Sequence, residues 1–182
     1  MKNVDIKLGL IIFAVVVAVA LMFVFLMHGI ENNAISMEEQ IDGAASEISV
    51  QQKRRADLIP NLVDCVKAYD KHEYETLVKI VEERNVTDDS TAEIKTMLNA
   101  VAEAYPQLAS SENYRELMNE LAVTENLIAN TRSNYNQCVK NYNRYVRKFP
   151  NAQVLDVLGY EIVSYEYLKY DASEDAPTNL FD

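Results

Sequence analysis

The sequence predicts an all-α protein, in which an N-terminal transmembrane helix continues into an elongated antiparallel helical bundle. Two long and two shorter helices would build the bundle, and a short extended tail would follow. Only four glycines and four prolines occur among 182 residues, which favours few, long elements. Residues 8–27 contain no charge. Residues 111–149 repeat a three-four spacing of buried-type side chains through five heptads, as one long helix with a coiled-coil-like seam does.

The uncharged segment is long enough to cross the roughly 30 Å hydrocarbon core of a bilayer as a helix. No small-residue cleavage site follows Met27, which argues against a removed signal peptide. We therefore expect a short tail (1–7) and a single-pass anchor (8–27) in the cell (inner) membrane or a membrane derived from it. Lys2 and Lys7 precede the anchor, and no Lys or Arg occurs from 28 to 52. The positive-inside rule therefore places the N-terminus in the cytoplasm.

A second seam begins directly after the anchor, so the same helix is predicted to continue through residues 31–70. The seam comprises Ile41, Ala45, Ile48, Gln52, Arg55, Ile59, Leu62, Val66 and Tyr69. A buried Arg55 needs a carboxylate partner, for which Glu125 and Asp57 are the candidates. Pro60 is expected to kink or divide the helix, with Asp57 capping a new segment in the second case.

The two shorter helices are predicted at residues 71–85 and from Ser90 to Tyr105. Ser90 and Glu93 have the spacing of a capping box, and Pro106 should stop the second helix. Ser110 or Ser111 would cap the long helix. Its seam comprises Tyr114, Leu117, Leu121, Thr124, Ile128, Thr131, Tyr135, Cys138, Tyr142, Tyr145 and Phe149.

The bundle is predicted to span residues 28–159, closing with a short helical turn from 151 to 158 that ends at Gly159. Residues 160–182 form the tail, which we expect to be extended along the bundle to about residue 170. Its last residues are acidic, include Pro177, and are expected to be disordered.

Charge and composition exclude several classes of function. Beyond residue 27 the chain carries 15 basic and 27 acidic side chains, a net charge of −12 that repels nucleic acid. His28 and His72 are the only histidines, and no zinc-binding or phosphate-binding motif occurs. Cys65 and Cys138 are predicted to be small core residues, with a disulfide as the alternative. We expect no cofactor, no metal and no enzymatic activity.

Two sets of residues are candidates for a functional site. The first is a polar groove between the long helices, with a hydrogen-bonded network that fixes helix register as the alternative interpretation. The groove set is Gln52, Arg54, Arg55, Asp57, Glu125, Asn126, Arg132, Asn136 and Asn143. The second is a partner interface made by Tyr160, Tyr165, Tyr167 and Tyr170.

Several short motifs resemble those of the LemA family. They are QKRRADLIPNLV (52–63), YDKHE (69–73), ETL (75–77), YPQL (105–108), EN (125–126), Arg132, YN (135–136 and 142–143) and FP (149–150). The resemblance covers residues 30–160, departs from the family pattern at Ala45, where the family has Trp, and is loose after Gly159. It implies a bacterial membrane protein with one N-terminal span and a helical bundle. It also implies an extracellular N-terminus, so both orientations remain open.

The sequence therefore predicts a non-enzymatic scaffold or adaptor in membrane organisation or protein assembly. The bilayer is the expected partner of residues 8–27, and a second copy or other membrane proteins are the expected partners of the bundle. The alternative is a membrane-tethered ligand-binding or sensor module that uses the polar groove. An enzyme, or an accessory subunit of a membrane protease, is a third reading that no motif supports.

Overall fold

The computed structural model describes residues 2–84 and 87–169, and all regular structure in this part of the chain is helical. Its helices are α1 (Lys2–Val66), α2 (Lys71–Arg84), α3 (Asp88–Ala104), α4 (Pro106–Ser110), α5 (Glu112–Arg147) and α6 (Asn151–Leu158). The all-α prediction, with two long helices, shorter ones between them and an extended segment at the end, is confirmed. The predicted long helix at 111–149 corresponds to α5.

The apolar segment is the start of α1 and is not a separate element. Among the described residues, α1 is the one helix long and apolar enough to cross a membrane, and its most apolar segment has no buried residue. Side chains of residues 9–26 are all exposed, whereas Ala34 and Ile41 further along the same helix are buried. One uninterrupted helix therefore joins the candidate membrane span to the packed part of the protein.

Pro60 does not divide α1, so the predicted alternative of a new segment capped by Asp57 is wrong. Proline supplies no N–H to the turn before it. The carbonyl that loses its helical donor is that of Ala56, and the Asn61 side-chain amide donates to the next carbonyl, that of Asp57, over 3.1 Å. The helix continues to Val66, whose carbonyl accepts from the N–H groups of Tyr69 and Asp70.

The caps of the shorter helices follow from local hydrogen bonds. Asp70 accepts from the His72 and Glu73 N–H groups at the start of α2, and the Glu73 bond is the main cause that lowers the pKa of Asp70. Ser111 accepts from the Tyr114 N–H at the start of α5, as predicted.

The capping box of α3 lies three residues earlier than predicted. Thr87 is the N-cap and Ser90 the reciprocal N3 residue, so the predicted Ser90–Glu93 box is wrong. A serine hydroxyl serves at N3 because it accepts from the Thr87 N–H over 2.8 Å. Pro106 ends α3 but also begins α4, since proline fits the first position of a helix.

The chain divides into two compact units. The anchor unit comprises Met1–Gly43 and Tyr135–Asp182, and the central unit comprises Ala44–Asn134. Helices α1 and α5 contribute to both units. The core of the central unit draws on α1 to α5 and contains Ile59, Leu62, Val63, Val66, Leu77, Ile80, Ile94, Leu98, Val101, Leu108, Tyr114 and Leu121.

The core of the anchor unit joins α1, α5 and α6. Its buried members are Ala34, Ile41, Val139, Tyr142, Val146 and Leu155. Gly159 ends α6 in the left-handed conformation, with φ of 70°, as the position of this glycine predicts. Phe149, predicted on the seam, is 82% exposed because α5 ends two residues before it.

Candidate functional site

The predicted polar groove is centred on Arg55, which is buried in the central unit. Its guanidinium Nη1 lies 3.4 Å from a carboxylate oxygen of Glu125, and the Arg55 side chain is 2% exposed against 34% for Glu125. Of the two predicted partners, Glu125 faces Arg55 and Asp57 does not. A buried guanidinium needs this charge, because desolvation without a partner is costly.

The other groove residues of the central unit lie at its surface or edge. Arg54 contacts Glu120, and Asp57 pairs with Lys53 over 3.4 Å in solvent. Gln52 and Arg132 are half-buried, whereas Asn126 is exposed. The structure therefore gathers Arg55 and Glu125 and leaves Asp57 and Asn126 turned to water.

Asn136 and Asn143 belong to the anchor unit, where they hold the extended segment 160–169. The Asn136 amide donates to the Leu168 carbonyl over 2.9 Å and accepts from the Leu168 N–H over 2.8 Å. Asn143 donates to the Tyr165 carbonyl over 3.4 Å. One asparagine side chain thus replaces a strand partner, so the segment stays extended without forming a sheet.

A tyrosine cluster lies beside Asn143 in the anchor unit. The Tyr142 hydroxyl donates to the Glu38 carboxylate over 2.6 Å and accepts from the Val163 N–H over 3.2 Å. The Tyr165 ring stands edge-on to Tyr142, with 5.4 Å between ring centroids. Burial and the hydrogen bond to Glu38 raise the pKa of Tyr142 well above its ordinary value. Burial, followed by the nearby Glu38 carboxylate, raises the pKa of Tyr160 to about 12.

The predicted tyrosine interface is split by this packing. Tyr160 and Tyr165 are half-buried against the core of the anchor unit, whereas Tyr167 is 51% exposed. Tyr170 lies outside the described residues. The apolar surface that remains exposed on the segment consists of Ile162, Val163, Tyr167 and Leu168.

Sequence reasoning missed two carboxylates that take part in these contacts. Glu38 binds Tyr142, and Glu120 contacts Arg54. Seam spacing places Tyr142 in the core but does not select Glu38, because flanking positions are polar on both sides of a seam. Arg54 and Glu120 are both partly exposed, so seam spacing identifies neither as half of a pair. Only the pairing register of α1 with α5 selects the partner.

A cavity of about 420 Å³ opens between α1 and α5 of the central unit and includes none of the groove residues. It is lined by Asn61, Asp64, Cys65, Asn113 and Leu117. The Cys65 thiol is free, donates to the Asn61 carbonyl and accepts from the Asn113 amide. Burial, then the charge of Asp64, raises the pKa of this thiol. Cys138 is also free, so the alternative of a disulfide is not realised.

The described residues contain no group of three or more His, Cys, Asp and Glu side chains that could hold a metal ion. An apolar exposed helix that runs into a helical bundle defines the class of a membrane-anchored α-helical protein. The sequence model of the LemA family matches residues 44–181. The chain belongs to the LemA family.

Individual relatives agree with this assignment. The chain is 28% identical to the protein LemA of Metamycoplasma hominis over 171 residues, covering 84% of this chain and 78% of the relative. It is 31% identical over 80 residues to magnetosome proteins MamQ 2 and MamQ 1 of Paramagnetospirillum magneticum. Those matches cover 44% of this chain and 29% of each relative.

Proposed function

We propose that this protein is a single-pass membrane protein whose helical bundle acts as a scaffold or adaptor for other proteins at the membrane. One observation carries the proposal: α1 runs without a break from exposed apolar residues into the buried seam. A helix without an intervening linker keeps the bundle at the bilayer. Confinement to a surface raises local concentration, so that weak lateral contacts suffice for assembly.

The polar residues support a structural role more than a chemical one. Arg55 faces Glu125, and Asn136 and Asn143 bind backbone groups of the extended segment. These groups are engaged within the protein, which favours scaffold over the alternative of a ligand sensor that uses the groove. We accordingly propose that the protein is not an enzyme.

The relatives support an association with membranes. Two of them are named magnetosome proteins, and we extend from these names only the proposal of a role in organising a membrane or an assembly on it. The net charge of −12 beyond residue 27 favours basic protein surfaces as partners over nucleic acid.

The exposed face of the extended segment is the proposed contact with a second copy or another membrane protein. Ile162 and Tyr167 are 45% and 51% exposed there, and neither contributes to the core of the anchor unit. Truncating the whole tail would also remove Tyr160 and Tyr165 from that core. The informative variant is therefore Ile162→Ser/Tyr167→Ser.

Cross-linking in native membranes, followed by gentle detergent extraction, tests the proposal. We expect cross-linked species larger than one chain for the native protein and their loss in the Ile162→Ser/Tyr167→Ser variant. Val50→Ser/Val123→Ser, at positions 60% and 49% exposed, is the matched control and should keep them. A chain that stays monomeric and alone in every case contradicts the scaffold proposal.

For orientation we propose a cytoplasmic N-terminus, with the bundle on the other side of the membrane. Lys2 and Lys7 before the span, against no basic residue from 28 to 52, support this proposal. The reverse orientation, which the family resemblance implies, is the alternative that a labelling experiment must distinguish.

A further inference from the structure

One stretch of this acidic protein carries basic side chains and no acidic ones. From Asn126 to Leu155 there is no Asp or Glu, and five basic residues occur: Arg132, Lys140, Arg144, Arg147 and Lys148. Arg144 and Arg147 lie in the last turn of α5 and Lys148 directly follows it, and all three are exposed in the anchor unit. Within residues 2–84 and 87–169, none of these three forms an ion pair with a carboxylate.

Hydrogen bonds fix this end of α5 beside the start of the packed part of α1. The Tyr145 hydroxyl donates to the Ile30 carbonyl over 3.3 Å, and the Asn151 amide donates to the Tyr145 carbonyl over 3.0 Å. The Lys148 ammonium lies 5.2 Å from the centroid of the Tyr145 ring. The end of α5 is therefore held at the level of Ile30.

That level is the edge of the bilayer if the apolar segment spans it. Ile30 follows Met27, the last residue of the segment, by about 4.5 Å along the helix. The headgroup layer on each side of the hydrocarbon core is roughly 5–7 Å thick. Since Tyr142 binds Glu38 and Tyr145 binds Ile30, α5 runs antiparallel to α1, and the residues after Tyr145 lie nearer to the apolar segment.

The side chains at this end have the chemistry of a membrane interface. Arg and Lys contact phosphate, and the adjoining Phe149 is an aromatic side chain 82% exposed to solvent, without a partner in the described protein that buries it. On α1, the carboxylate closest in sequence to Ile30 is that of Glu31, which contacts His28 over 3.0 Å. The local charge is thus positive while the protein as a whole is acidic.

We propose that Arg144, Arg147, Lys148 and Phe149 form a second membrane contact, in which the cations bind anionic phospholipid headgroups and Phe149 enters the interface. The proposed ligand is the lipid of the bilayer that holds α1, for two reasons. The contact residues adjoin the apolar segment, and their positive charges complement the negative charges of anionic headgroups. The contact would fix the anchor unit against the membrane surface at a second point besides α1. The inference rests on the proposed membrane anchor.

The test uses the full chain in vesicles, in a background of Cys65→Ala and Cys138→Ala. A fluorescent label at Phe149→Cys reports the interface, and the same label at Gln137→Cys, an exposed position about 15 Å before the end of α5, is the positional control. Quenchers attached to lipid chains are compared with a water-soluble quencher. Vesicles contain phosphatidylcholine alone or with about one third phosphatidylglycerol.

We expect lipid-borne quenching at position 149 to exceed that at 137 and to rise with phosphatidylglycerol. Each basic residue near an anionic surface favours contact by about fivefold, so Arg147→Gln/Lys148→Gln should weaken the contact equilibrium by about twenty-fivefold. Lys71→Gln/Lys95→Gln makes the same charge change at exposed positions of the central unit and should have no effect.

Three outcomes overturn the proposal. A label at 149 that is quenched only from water excludes the contact, and quenching that ignores phosphatidylglycerol excludes the headgroup assignment. If Lys71→Gln/Lys95→Gln lowers lipid-borne quenching at position 149 as much, the effect arises from the net charge of the protein and not from a local contact. Failure of the whole chain to float with vesicles is a different result, because it refutes the membrane anchor itself.

Discussion

The Tyr142 hydroxyl binds the Glu38 carboxylate over 2.6 Å, joining positions 104 residues apart in the sequence. Tyr142 is fully buried in the core of the anchor unit, and its oxygen also accepts from the Val163 N–H. One hydroxyl therefore ties α1, α5 and the extended segment together. Along α1 the contact lies a little over two helical turns from the Tyr145–Ile30 bond, and together the two bonds fix the register of α1 against α5.

Removing this hydroxyl should destabilise the anchor unit. We expect Tyr142→Phe to lower the free energy of unfolding by about 1.5–3 kcal/mol, since hydrogen bonds to charged groups are worth this much. Urea unfolding in detergent, followed by circular dichroism, measures the change. Tyr167→Phe, at an exposed position, is the control and should be neutral. Equal effects of the two variants would contradict the role given to Tyr142.

The Arg55–Glu125 pair gives a second prediction. Glu125→Ala leaves a guanidinium buried without this charge and should cost about 2 kcal/mol, less than a fully buried pair because Glu125 is one-third exposed. Arg55→Met, which removes the buried charge and keeps much of the volume, should cost less. The surface pair of Arg54 and Glu120 is the comparison, and Arg54→Ala should cost less than about 1 kcal/mol.

If the groove binds a ligand, Arg55 should matter more for ligand binding than for stability. If Arg55→Met folds with native stability but loses a ligand-induced shift in melting temperature, the sensor alternative gains over the scaffold. If no compound class shifts the melting temperature of the native chain, the interpretation of the Arg55–Glu125 pair as a contact that fixes helix register is retained.

Asn136 should control the extended segment. Asn136→Asp keeps an acceptor for the Leu168 N–H but loses the donor and sets a carboxylate against the Leu168 carbonyl. Hydrogen exchange of residues 163–169, measured by mass spectrometry, should accelerate about tenfold or more. Loss of the hydrogen bond to the Leu168 carbonyl, together with repulsion between that carbonyl and the new carboxylate, should cost at least about 1.4 kcal/mol. Gln137→Glu, at the neighbouring exposed position, should leave exchange there unchanged.

The tyrosine cluster predicts the direction of a pH effect. The pKa of Tyr160 is raised to about 12 in the folded protein, above the ordinary value of 10.0. Its contribution to stability is therefore fully present below about pH 10 and is lost as the pH rises through 12. Near-ultraviolet absorbance should show fewer tyrosinates in the native than in the urea-unfolded chain across this window. Tyr160→Phe should reduce the difference in tyrosinate content between the native and the unfolded chain. Identical titration curves for the native and the unfolded chain would contradict the burial of Tyr160.

The fold was predictable where local chemistry decides it. The unbroken seam predicts α5, Ser111 predicts its cap, and Gly159 predicts the end of α6. Pro60 misled because a proline penalty within a helix is small against the burial of Ile59, Leu62 and Val66 on the same turns. The register of the α3 cap was missed because Thr87 and Ser90 both qualify as N-cap residues.

The candidate site was less predictable, because contacts between helices depend on register. Spacing places Arg55 and Tyr142 on the seams but does not choose Glu125 or Glu38 as their partners. Contacts between helices also affect the charge argument for membrane orientation, because they place the basic end of α5 near the apolar segment. Counting along the chain finds no basic residue from 28 to 52, yet Tyr145 holds Arg147 and Lys148 at the level of Ile30.

The central claim is that α1 spans the membrane once and carries the bundle on one side. Single cysteines at Asn3 and Asn126, in the background without Cys65 and Cys138, test it with a membrane-impermeant thiol reagent on intact cells and after lysis. Asn126 is exposed in the central unit. We expect position 126 to be labelled on intact cells and position 3 only after lysis. The reversed pattern would overturn the proposed orientation alone, whereas equal accessibility of both positions would contradict the single span.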